Sequence, residues 1–190
     1  MPFTDKAFAA NKIAVKNKGA AKLYARLILS GQLLAGEEIA EAKNIALSVR
    51  YTDSKGNPID INRLKQGTDF VAEVTIRRNG DLTFPFNELA LAQVFPSGWE
   101  ILNARMSAIG IGGNSASEYQ DIRDDRVYTY FDLPYSFDNR TNRVRETTST
   151  FRIQLNAAYA GRYYLPAVSC EAMYDNRIRG SAPGQWVEVI

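Results

Sequence analysis

The carboxylates Asp121, Asp124 and Asp125 stand close together in the run DIRDDRVYTYF, interleaved with Arg123 and Arg126. Paired carboxylates do acid–base work when both face one cleft and their surroundings drive their pKa values apart. Sequence neighbours such as Asp124 and Asp125 point to opposite faces of a strand. The flanking arginines keep both ionised, which disarms a general acid. The run therefore reads as a charged turn whose Arg–carboxylate pairs order the entry to a strand. The Asp-x-Asp-x-Asp-Gly spacing of a calcium loop is absent. The lone thiol, Cys170, sits in an apolar run, and the sequence has no histidine to pair with it. A Cys–His nucleophile is impossible, and so is the commonest general base or metal ligand. The reading is a buried, inert thiol on the face of Tyr164, Pro166 and Val168. We assign no catalytic residue, no metal and no cofactor.

Three other patterns could carry chemistry. GIGGN at 110–114 has the glycines of a phosphate cradle, but SASEYQ follows it, with neither a lysine nor a helix signal. It lies in a small, Gly/Ser-rich stretch, 106–118, that reads as a loop between strands. A second loop, PYSFDNRTNRVRE, contains NRT at 139–141, an N-glycosylation triplet of a kind common by chance. The tyrosines at 24, 51, 119, 128, 130, 159, 163 and 164, with two tryptophans, could line a sugar platform, although strands use aromatic residues for core and cross-strand packing.

The net charge of +2 is too small to argue for nucleic acid or an acidic membrane. A chain of 190 residues suits one ordinary domain that needs no disulfide. MPFTDKAFAANK is too polar for a signal peptide or a membrane span. Two expectations follow: a cytoplasmic protein, or an internal or C-terminal piece whose targeting signal lies elsewhere.

Strand signals must position these residues. TDFVAEVTIRRNG sets Phe70, Ala72, Val74 and Ile76 against Val71, Glu73, Thr75 and Arg77. RVYTYFDL and TSTFRIQLNAAYA repeat the alternation, and KIAVKN, KLYARLIL, IALSVRY, RYYLPAVSCEAMY and GQWVEVI add shorter runs. LALAQVFPSGWEIL is broken at Pro96 and Gly98 and reads as two short strands. GEEIAEAKNIAL is either a turn of helix or a charged connection. Eight to ten strands at this spacing, without helices long enough for crossovers, indicate an all-β fold, an antiparallel β-sandwich. Phe70, Val74, Ile76, Phe151, Ile153 and Leu155 are its expected core.

Met173 and Tyr174 break the pattern. Their strand is expected to end near Glu171, and Asp175-Asn176 signals the turn. Two bulky apolar groups at a strand end either form a core lid or cover a group on a neighbouring domain.

YQDIRDDRVYTYFDL, followed by AAYAGRYYLPAVSCEAMYDNRIRG, resembles the C-terminal macroglobulin-type domain of bacterial alpha-2-macroglobulins. GTDFVAEVTIRRNG and ALAQVFPSGWEI resemble its upstream strands. The resemblance covers residues 45–190. Residues 1–44 read as a connector and strands from a preceding β-region, or as part of the sandwich itself. The family implies a large periplasmic or cell-envelope protein, lipid-anchored, that traps proteases in bacterial defence. Many members carry a Cys-x-x-Gln thioester in another domain. Here Met173, not Gln, stands three residues after Cys170. The resemblance implies that this domain packs on its neighbours, with Met173 and Tyr174 shielding the thioester where there is one. The alternative is an extracellular β-sandwich module that binds glycan or a partner protein.

Overall fold

The computed structural model describes residues 15–26, 28, 34–102, 114–138, 140, 143, 144 and 147–190. The chain divides into two units, Met1–Gln32 and Leu33–Ile190. In the first, the described residues form no strand, so KIAVKN and KLYARLIL are not strands where they are described. There, Asn17 accepts a hydrogen bond from the Gly19 N–H (2.9 Å) and donates one to the Ala21 carbonyl (2.7 Å).

The second unit is all-β, with no helix among its described residues. Its largest sheet orders six strands: β1 (Glu41–Lys43), β14 (Asp175–Ala182), β13 (Val168–Ala172), β5 (Phe86–Val94), β8 (Arg126–Leu133) and β7 (Tyr119–Ile122). Facing it, four strands run in the order β2 (Ile45–Thr52), β4 (Asp69–Arg78), β11 (Thr148–Ala157) and β6 (Trp99–Ile101). A third sheet joins β12 (Gly161–Leu165), β15 (Gln185–Val189) and β3 (Arg63–Leu64), the last pair parallel. A hairpin of β9 (Phe137–Asp138) and β10 (Arg143–Val144) lies inside the polar run 134–146, which the sequence reads as loop. The other named sheet pairings are antiparallel. The NRT triplet and residues 106–113 of the Gly/Ser-rich stretch lie outside the described residues, apart from Arg140.

The expected alternation sets the core. Along β4, Phe70, Ala72, Val74 and Ile76 are buried, and along β11 so are Phe151, Ile153 and Leu155. One cluster joins Ile45, Val74, Ile76 and Phe151 of the four-stranded sheet to Phe86, Leu89, Leu91, Phe131, Cys170 and Ile178 of the six-stranded sheet. Two sheets that bury alternate residues against each other are a sandwich. A second cluster packs Phe70, Trp99, Ile153 and Leu155 against Leu165, Val187 and Val189 of the third sheet. Phe131 meets Phe151 edge-on, with centroids 4.8 Å apart, and Phe70 meets Trp99 likewise at 4.8 Å.

Two sequence expectations are corrected. The charged GEEIAEAKN holds no helical turn; Glu41–Lys43 pairs with β14. Cys170 does share its buried face with Val168, but Pro166 and Ala167 break the strand, so Tyr164 lies in a different sheet. Pro166–Ala167 separates β12 from β13 because proline cannot donate to a ladder.

Chain corners depend on unusual backbone. Asn44 takes a left-handed φ of 61° between β1 and β2, so that the chain leaves one sheet and enters the other. Asparagine tolerates that region because its amide bonds locally; here it donates to the Arg177 carbonyl at 2.7 Å. Gly98 packs against the Tyr163 ring, where an added Cβ would lie 2.2 Å from a ring carbon.

On the outer face of β4, Glu73 is almost fully buried beneath two cross-strand arginines. Arg50 Nε bonds one carboxylate oxygen and Arg152 Nε the other, each at 2.5 Å. Burial alone would raise the Glu73 pKa. The Arg50 hydrogen bond and the charges of Arg152 and Arg50 outweigh it and hold the carboxyl below its usual 4.5.

Three outcomes follow. Truncating Phe151 to Ala should cost roughly 3–5 kcal/mol in a denaturant titration, because the cavity would open between the sheets. Burial pushes the Cys170 thiol up to about 12, so at neutral pH a thiol reagent should modify the unfolded chain at least about a hundredfold faster than the folded one. A folded-state pKa below the unfolded one means that stability from Glu73 is complete above about pH 4.5 and is lost as the pH falls through the folded value. Glu73→Gln should therefore be less stable than the wild-type chain at pH 7, and the gap should narrow in chemical unfolding below about pH 4.

Candidate functional site

Met173 and Tyr174 form the two-residue turn between β13 and β14, where Ala172 pairs with Asp175. Tight hairpins favour turns with positive φ, usually supplied by Gly or Asn. Neither Met173 nor Tyr174 has positive φ. The mismatch is taken up at once: the next pair after Ala172–Asp175 is Glu171–Arg179, so Asn176, Arg177 and Ile178 bulge from β14. Within the bulge Ile178 turns into the core, and the Asn44 amide and Lys43 Nζ bond the carbonyls of Arg177 and Asn176.

The turn is held on both sides. Asp175 accepts hydrogen bonds from the Arg177 backbone N–H (3.0 Å), from Nε (2.9 Å) and from Nη2 (2.7 Å). That guanidinium and its backbone partner hold the Asp175 carboxyl down at about 2. On the other side the Met173 N–H donates to the Glu88 carbonyl at 3.0 Å. Glu88 itself sits at a φ of 55°, in a register shift of β5 between Phe86 and Leu89, and its N–H donates to Asp132 Oδ1 at 2.8 Å. A non-glycine residue in that region costs energy and persists where surrounding contacts determine it.

This scaffold carries two apolar side chains outward. Met173 is 51% exposed and Tyr174 85%, whereas Ala172, beside them, is buried. Neither side chain turns into the core as a lid would. The tip sits at the end of an interior hairpin of the six-stranded sheet, not at its lateral edge.

The other candidates fall elsewhere. Asp121 pairs with Arg123 at 2.9 Å and Asp125 with Arg126 at 2.6 Å, in the β7–β8 turn, as a charged turn requires. Hydrogen bonding from Arg126 lowers the Asp125 pKa, so it stays ionised. The aromatic residues do not form one platform. Tyr51 packs on Phe70 and Trp99 in the core, Tyr119 stacks on Tyr130, and Tyr164 meets Trp186. Glu88 and its bulge were not visible in the sequence, since nothing in FNELALAQV marks a glutamate for a left-handed backbone.

The same arrangement of sheets occurs in known proteins. The chain is 24% identical over 198 aligned residues to an alpha-2-macroglobulin homolog of Yersinia pestis, covering 93% of this chain and 9% of that protein. It superimposes on the native conformation of Escherichia coli alpha-2-macroglobulin with a TM-score of 0.65 at 14% identity, covering 82% of this chain and 10% of that one. Trypsin-activated alpha-2-macroglobulin from Escherichia coli gives a TM-score of 0.62 at 14% identity, over 80% of this chain and 11% of that one. This chain thus spans about a tenth of the length of these relatives. Residues 45–176 match the bacterial alpha-2-macroglobulin MG10 domain, and the chain belongs to that family.

Proposed function

We propose that this chain is a non-catalytic C-terminal domain of a bacterial alpha-2-macroglobulin-like protein that traps proteases. It acts by packing on neighbouring domains of the same longer polypeptide. Residues 1–44 lead in from a preceding β-region, with Glu41–Lys43 integral to the sandwich. Met173 and Tyr174 provide a contact with a neighbouring domain and, where the longer protein carries a thioester, help to keep water from it. The protein works in the periplasm or cell envelope, lipid-anchored through a segment outside this chain. Target proteases meet the whole protein, not this domain alone.

The observation that carries the reading is the exposure of Met173 and Tyr174 on a turn whose backbone is fixed from both sides. Ordering an exposed apolar pair offers a folded domain little by itself, whereas a contact surface gains from being preorganised. The trypsin-activated state of the Escherichia coli relative supports the link to proteases. The glycan-binding alternative has weaker support, because Tyr51 and Trp99 serve the core and Tyr164 and Trp186 pair on the third sheet, apart from the tyrosines of β7 and β8.

The test is the double change Met173→Ala with Tyr174→Ala. Both side chains are exposed, so the melting midpoint of the 190-residue chain should hold, the stability change staying within about 0.5 kcal/mol. In a thioester-bearing full-length protein the change should speed hydrolysis or amine attack at the thioester, read as thiol release. In one without a thioester it should loosen the interdomain contact, read as faster proteolysis between domains. Unfolding of the isolated domain by the double change would return the pair to a packing role.

A further inference from the structure

The outer face of the six-stranded sheet is divided. Across β1, β14 and β13 it is polar: Glu41 and Arg179 form an ion pair at 2.6 Å, and the Ser181 hydroxyl accepts the Glu41 N–H. Across β5, β8 and β7 its character changes. Ala90 pairs with Tyr130, and Tyr130 with Tyr119; in the next row Ala92 pairs with Tyr128. The opposite side chains of these strands, Leu89, Leu91, Val127 and Phe131, are in the core, which places the alanines and tyrosines outward. Tyr119 is 61% exposed and stacks on Tyr130 with centroids 5.9 Å apart.

This half of the face is a low floor of alanines with a wall of tyrosines. At its β7–β8 end Asp121 is paired with Arg123 and Asp125 with Arg126, while toward β13 the exposed Glu171 stands opposite Ala90. Tyrosine is the side chain that gives large contact area at low entropic cost. Beside it, β7 is a four-residue strand that ends the sheet, with Ile122 partly exposed.

The floor is joined to the Met173–Tyr174 tip through the backbone, with the exposed Glu88 and Glu171 between them. Met173 is bonded to Glu88, and Glu88 leads along β5 to Ala90. From β13 to β7 is three strand spacings, about 14 Å. The occupant is indicated by length: the chain spans 9% of its Yersinia relative, so most of such a polypeptide lies outside it.

We propose that a neighbouring domain of the same polypeptide covers this half-face, with an apolar surface seated on Ala90 and Ala92 and anchored by Tyr119, Tyr128 and Tyr130. The proposal rests on the interdomain role of Met173 and Tyr174, and it widens that contact from a tip to a platform.

Hydroxyl-radical footprinting, which modifies Met and Tyr according to solvent access, reads both. The full-length protein is compared with the 190-residue chain, with buried Trp99 as the internal reference. Protection of Met173, Tyr174, Tyr119 and Tyr130 by about tenfold in the full-length protein is the expected result. Ala90→Arg with Tyr119→Ala, introduced into the full-length protein, should then raise labelling of Tyr130 toward its rate in the isolated chain, while the melting midpoint of the 190-residue variant holds. Protection of Met173 and Tyr174 without Tyr119 and Tyr130 would overturn the platform and leave the tip contact standing. Loss of protection at all four would overturn both. Protection that grows with concentration in the 190-residue chain alone would make a second copy the occupant and would also overturn the proposal.

Discussion

The ladder between β4 and β11 is the constraint on which the rest of the structure depends. Nine consecutive residue pairs, from Thr148–Arg77 to Asn156–Asp69, fix its register. A one-residue slip of β4 would expose Phe70, Val74 and Ile76, and one of β11 would expose Phe151, Ile153 and Leu155. The slip of β4 would also bring Glu73 into the core. The Arg50–Glu73–Arg152 arrangement opposes that slip from the other face, because its arginines sit directly opposite Glu73 on both adjacent strands. Apolar burial supplies the driving force, and the paired carboxylate makes alternative registers expensive.

With that sheet fixed, the irregular features fall on the opposite one. Asn44 changes sheets at a left-handed φ, and Gly180 allows β14 to approach β2: a Cβ there would lie 2.7 Å from Leu47 Cδ1. The β14 bulge and the Glu88 register shift then bracket one turn from opposite sides. Bulges re-aim side chains. Here they release Met173 and Tyr174 from the alternation that buries Cys170 and Ala172, without loosening the backbone that carries them.

The sequence was most legible where local and global demands agree. Strict alternation in β4 and β11 named the core rows, Pro96 and Gly98 marked the break between β5 and β6, and arginines beside Asp121 and Asp125 announced a paired turn. Strand partnership was less legible. That β5 lies between β13 and β8 is a long-range fact with no local signal. The same holds for β1, whose charged composition suits an exposed edge strand as well as a connection. Met173 and Tyr174 stood out because turn chemistry calls for other residues. Their support did not, since Glu88 and the bulge at Asn176–Ile178 arise from tertiary contacts that override local preference.

The lack of histidine has a consequence for how such a tip would behave. Its backbone is clamped by Asp175, whose carboxyl titrates at about 2, and by Arg177, whose pKa is raised further by that same carboxylate. Neither partner changes charge between about pH 4 and pH 10. With no imidazole anywhere in the chain, the usual means of loosening a contact near neutral pH is missing too. The pair is therefore presented in the same way through moderate acid and base, held by a fixed clamp and exposed through its own apolar atoms.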